Sequence, residues 1–173
     1  MRPWTRTASR WPLFRPSTNW LWRKRERSGG SVRASHDWSA RPDGLAGARG
    51  DLRTFTRAVV DAGADLVLGH GPHVVRGMEV YKNRLIVYSL GNFAFYRFPF
   101  AGPTALSLVL ETNIDPDDGS FVSGRIHPLI QQGQDGPRPD RNNTVINVVR
   151  QLSKEDFGPT AVNVAADGTI SAP

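Results

Sequence analysis

The residue pattern with the clearest chemical potential is a pair of imidazoles on a tight turn. His70 and His73 flank Gly71 and Pro72. Neither Gly71 nor Pro72 can continue a strand ladder, so both histidines are expected on a loop at a strand's end. In an α/β sheet the carboxyl ends of strands are where ligands bind. Neutral imidazole nitrogens are good ligands for zinc, manganese or iron. The competing reading is that one or both rings only hydrogen-bond neighbouring backbone, and the spacing alone does not separate the two. Asn92 follows Gly91 in the stretch SLGNF. Its amide can serve a substrate or the turn's own backbone; Asn is a common turn residue for the second reason.

These side chains need elements to hold them. Leu52, Phe55, Val59 and Val60 recur at helical spacing, which predicts an amphipathic helix over Asp51–Ala62 with Asp51 as N-cap and Gly63 as its end. Leu66, Val67 and Leu68 form a short apolar strand that delivers His70 and His73. Residues 78–81 and 84–88 flank Lys82-Asn83, the pattern of a β-hairpin, and Leu85, Ile86 and Val87 read as a strand covered on both faces. Downstream, Ala105–Ile114 and Phe121–Ile130 form a second predicted hairpin around the Asp-rich turn Asp115–Gly119. Gln131–Asn143 reads as a polar loop. Val145, Val148, Val149 and Leu152 predict a second helix that ends over Ser153–Pro159. Val162–Ile170 reads as a short terminal hairpin around Asp167-Gly168. The aromatic stretch Phe93, Phe95, Tyr96, Phe98 and Phe100 is expected to fill a core edge, with a substrate cleft as the other reading. His127 is expected to be structural.

Taken together, GADLVLGHGPHV followed by EVYKNRLIVYSLGNF resembles the C-terminal signature of the CapA family of capsule and poly-γ-glutamate synthesis proteins. That family lies in the calcineurin-like metallophosphoesterase superfamily. The resemblance runs from about Asp51 to Phe157. It implies an α/β fold with mixed α+β character: two β-sheets packed as a sandwich and flanked by helices. It maps the superfamily's last metal-binding motif onto Gly69, His70 and His73, with Pro72 as an extra residue between the histidines. His70 and His73 are thereby implied as ligands of a divalent metal (Mn, Zn or Fe), and Asn92 as the candidate catalytic residue that positions substrate or loop. The implied activity is metal-dependent hydrolysis or handling of an anionic polymer or phosphoester, alongside cell-envelope synthesis machinery. The superfamily's earlier ligand motifs have no counterpart here, so the resemblance covers a C-terminal portion whose N-terminal half is missing. Without that half, strand Leu66–Leu68 is expected to lose sheet neighbours. The family's His-Trp-Gly stretch has only Ser35-His36-Asp37-Trp38 as its nearest text, and no ligand role is carried onto His36. A non-catalytic structural or binding module in envelope polymer assembly is the alternative.

Charge divides the chain of 173 residues at about position 50. Residues 1–49 hold 11 Lys+Arg against 3 Asp+Glu, and residues 50–173 hold 11 against 13. All five tryptophans lie in the first part, which has no sustained helical or strand period. Three readings of it stand: a basic arm for nucleic acid or anionic lipid, a solvated tail, or an out-of-frame start ahead of the true domain. The expected organisation is therefore a segment 1–49 that is disordered or not native to the domain, and a domain over 50–173. No specific nucleic-acid partner is expected. No apolar run is long enough for a signal peptide or a membrane span, and envelope localisation rests on the resemblance. The chain has no cysteine, which excludes disulfides and thiolate metal sites.

Overall fold

The computed structural model describes residues 33–37, 46–47, 50–93, 100–131 and 136–173, with side chains from Leu52 onward. The three readings of the basic segment fall largely outside these residues, as do Phe95, Tyr96 and Phe98. Two short backbone pairings precede the first helix. Strand β1 is Arg33–Asp37, and β2 (Ala46–Gly47) pairs with β3 (Gly50–Asp51).

Helix α1 spans Leu52–Asp61. Its inward face is set by Thr56 and Val60, four residues apart and both buried. The expected apolar positions Leu52 and Val59 pack at the edge of that contact and are half-buried. Thr56 is inside because its hydroxyl meets Tyr88 Oη at 3.0 Å and Arg53 O at 3.1 Å. Gly63, at φ +102, turns the chain out of the helix.

The first sheet runs β1–β4–β6–β5, where β4 is Leu66–His70, β5 is Met78–Tyr81 and β6 is Arg84–Val87. β4 is parallel to β1 and to β6, while β5 and β6 form an antiparallel hairpin. Lys82 and Asn83 both take positive φ, +49° and +60°, as a two-residue type I′ hairpin turn requires. Alternate residues of this sheet face two different cores. Leu66, Met78, Leu85 and Val87 belong to the main core, and Val67, Ile86 and Tyr88 pack with Val60 and Ala64. Coverage on both faces explains the unbroken apolar run in β6. The expected loss of neighbours beside β4 is not met, because β1 supplies one from a stretch whose sequence carries no strand period.

The second sheet is built on β7 (Leu106–Ile114) and β8 (Phe121–Gln131), which pair along almost their whole length. The far edge of β8 is shared by β9 (Pro137–Pro139) and β11 (Thr169–Ser171), and β10 (Asn163–Val164) completes the terminal hairpin. Helix α2, Thr144–Phe157, buries Val145, Ile146 and Val149 in the core shared by both sheets. The result is the expected mixed α/β architecture. α2 ends at Phe157, within the expected Ser153–Pro159. Its last turn holds the buried polar Ser153, whose hydroxyl donates to Val149 O at 2.7 Å and accepts from Met78 N at 2.9 Å. One sequence boundary needs correction. The loop Gln131–Asn143 contains the strand β9, tolerated in spite of its two prolines because it is short and lies on the sheet margin.

Candidate functional site

β4 carries its polypeptide to the site and the turn after it places the histidines. β6 pairs with β4 only as far as Leu68, opposite Val87, whereas β1 continues and sets His36 opposite Gly69 and Asp37 opposite His70. His70 is therefore the last residue of the strand and not part of the loop, a correction to the sequence reading. It is exposed. His73 sits on the turn with φ +59°, a left-handed conformation uncommon outside glycine and asparagine.

The second approach comes from β6. After Val87 the chain passes through Ser89 and Leu90, and Gly91 bridges to Ser107 in β7 while Leu108 N donates to Leu90 O at 3.1 Å. Gly91 is at φ +77°, and a Cβ there would lie 2.5 Å from Leu106 O. Only glycine allows so close a crossing from one sheet to the other. The crossing leaves Asn92 buried, at 6% exposure, between the histidine turn and a 3-10 turn at Gly102–Ala105. Asn92 Oδ1 lies 2.7 Å from His73 Nδ1. Asn92 Nδ2 donates to His73 O and to Thr104 O, each at 3.0 Å. The Asn92 side chain thus bonds the loop itself. Spacing of 19 residues between His73 and Asn92 gave no sign of this contact, and Thr104 carries no sequence signal at all.

His70, His73 and Asn92 line one cleft of about 800 Å³ between β4 and β7. Its walls are the apolar side chains of Leu68, Leu90, Leu108 and Leu110, with Thr112 at the far end. Phe93 stands at the cleft and is 59% exposed, so it does not fill a core edge as expected. His127 lies elsewhere, exposed on β8, 3.2 Å from Glu111 Oε2. A catalytic zinc usually takes three protein ligands. Among the described residues no group of three histidine, aspartate or glutamate side chains could hold an ion. His70 and His73 are at most part of a site. Among the described residues no helix is long and apolar enough to cross a membrane.

Fold and site together define a mixed α/β protein with a histidine turn and a buried asparagine at the meeting of two sheets. Residues 46–97, which contain all three site residues, match the family model described as bacterial capsule synthesis protein PGA_cap. It is 37% identical over 108 residues to the capsule biosynthesis protein CapA of Bacillus anthracis, covering 58% of this chain and 24% of the relative. It is 56% identical over 43 residues to the PGA biosynthesis protein CapA of Bacillus subtilis, covering 25% of this chain and 11% of the relative. A Mycobacterium tuberculosis protein named "Probable polyglutamine synthesis accessory protein" is 33% identical over 90 residues, covering 50% of this chain and 23% of that protein. The chain spans about a quarter or less of the length of these relatives.

Proposed function

We propose that the chain is the histidine-bearing part of a CapA-type protein acting in capsule or poly-γ-glutamate synthesis, in association with the cell envelope. The observation that carries this reading is the coincidence of sequence and geometry. The family-matched segment is the one that brings His70, His73 and Asn92 to a single cleft. In this reading His70 and His73 are two ligands of a divalent metal, manganese, zinc or iron, completed by donors beyond the described residues. Such a metal, when bound, acts as a Lewis acid on a phosphoryl or carbonyl oxygen. The substrate is an anionic polymer or a phosphoester. His70, at the exposed strand end, offers its ring from one side of the cleft. His73 offers its ring from the turn, and the leucine side chains form the apolar walls.

A second reading is favoured by one observation, the two-imidazole donor set. In it the chain is a non-catalytic structural or binding module of envelope polymer assembly. Metal content and phosphodiesterase turnover separate the readings. The intact chain is compared with the His70→Ala/His73→Ala double variant, with manganese or zinc supplied and folding checked by circular dichroism. Bound metal and turnover that vanish in the double variant support the enzyme. A folded chain with neither overturns it and leaves the module.

A further inference from the structure

We propose that Asn92 is a positioning residue that holds the His73 imidazole in a single tautomer, with the proton on Nδ1 and the electron pair on Nε2. The inference rests on the reading of His73 as a functional side chain and adds how that side chain is prepared.

The argument begins with the amide. Asn92 Nδ2 is 3.0 Å from two carbonyl oxygens, His73 O and Thr104 O. A carbonyl oxygen can only accept, so the NH₂ end of the amide must face this pair. Rotating the amide by half a turn would set its oxygen against both carbonyls in a nearly fully buried position. The orientation is therefore fixed without reference to the ring. The oxygen end is then the atom 2.7 Å from His73 Nδ1. An amide oxygen also only accepts, so Nδ1 must be the protonated nitrogen. In a neutral imidazole the other nitrogen, Nε2, then carries the lone pair.

The same amide holds His73 at two points, the ring and its own carbonyl, on a residue kept in a left-handed conformation. Thr104 O anchors the clamp to the 3-10 turn that leads into β7. Gly91 lets the clamp close, since a side chain there would strike Leu106 O. A ring held in orientation and tautomer presents its ligating or proton-accepting nitrogen without reorganisation at the moment of use. The hydrogen-bonding partner that fixes which nitrogen acts is in this chain an amide and not a carboxylate, so it does so without adding negative charge beside the ring.

The test is the tautomer itself. Long-range proton–nitrogen spectra of the ¹⁵N-labelled chain are recorded at a pH where the imidazoles are neutral, and the His73 signals are assigned with His73→Gln. The expected result is a His73 ring protonated on Nδ1 with Nε2 in the unprotonated range. In Asn92→Ala, Nε2–H, the form that free histidine prefers, becomes the major species. Asn92→Leu, of similar volume and with no acceptor for Nδ1–H, should shift the ring the same way and serves if the alanine variant does not fold. Nε2–H or an even mixture in the wild type overturns the proposal. So does an unchanged Nδ1–H pattern in folded Asn92→Ala. A chain that binds no metal yet shows the locked Nδ1–H ring would defeat the metal reading and leave the positioning role standing.

Discussion

Replacing Glu79 by alanine is expected to unfasten α1 from the β5–β6 hairpin. Glu79 is fully buried in β5. Its carboxylate accepts from Arg57 twice, Nε to Oε1 at 3.1 Å and Nη2 to Oε2 at 2.6 Å. It also accepts from Thr160 Oγ1 at 2.6 Å and Tyr88 Oη at 2.8 Å. Removing one partner of a buried ion pair costs about 3–5 kcal/mol, because the other charge is left uncompensated. Here the Arg57 side chain is 27% exposed and can turn to water. Tyr88 Oη keeps Thr56 and Thr160 keeps Phe157 O. These retained contacts place the loss at the low end, about 3 kcal/mol. At about 2–4 °C per kcal/mol for a chain of this size, the melting temperature should fall by about 6–12 °C. Glu79→Gln keeps the volume and an acceptor and should fall between wild type and alanine. The pH dependence follows from the carboxyl. Burial pushes its pKa up, but the hydrogen bonds from Arg57, Thr160 and Tyr88 prevail and hold it below the ordinary glutamate value. A lowered folded pKa adds stability that is complete above the unfolded value, about 4.3, and is lost as pH falls through the folded one. The gap between wild type and Glu79→Gln in thermal melts followed by circular dichroism should therefore close on acidification. A fall of less than about 2 °C for Glu79→Ala at neutral pH, under about 1 kcal/mol, would refute the reasoning.

Gly91→Ala should destabilise by about 1–3 kcal/mol through forced positive φ and the clash with Leu106 O, read as a lower urea midpoint. Ser153→Ala leaves the buried Met78 N–H without its acceptor and should cost about 1–3 kcal/mol in the same assay. An unchanged midpoint would mean that a water or a shift of α2 replaces the hydroxyl. His127→Ala removes only an exposed contact with Glu111, and its effect should stay under about 1 kcal/mol at neutral pH.

What the sequence made legible is what local chemistry decides. Lys82-Asn83 announced a hairpin because a two-residue turn needs positive φ. Asp115–Gly119 announced a turn because Asp115 Oδ1 can cap the next backbone amides, as it does with Asp117 N at 2.8 Å. The helix α1 was legible by period, and Val60 is buried as the pattern implied, but Thr56 was not foreseen, since it is inside only because Tyr88 is across from it. The end of α2 was legible to within Ser153–Pro159, but the burial of the polar Ser153 was not, because its partner, Met78, is 75 residues away. β1 was hidden because its place beside β4 comes from pairing and not from an apolar pattern. At the site, His70, His73 and Asn92 were visible as residue types at turns. Their relation was not, because it depends on Gly91 carrying the chain from one sheet into the other.

That dependence says which parts of the chain the site requires. The family-matched stretch, residues 46–97, contains both histidines, Gly91 and Asn92. It does not contain Thr104, the second acceptor of the Asn92 amide, nor Ser107, the bridge partner of Gly91. It lacks β7, which forms the opposite wall of the cleft through Leu108 and Leu110. β7 is in turn held along its length by β8, and the core behind both is closed by α2. The residues that carry the chemistry therefore lie within one stretch of 23 residues, His70 to Asn92, while the geometry that aligns them is distributed through the C-terminal sheet. Cutting the chain after the matched segment would keep every proposed site side chain and lose the carbonyl that fixes which way the Asn92 amide points.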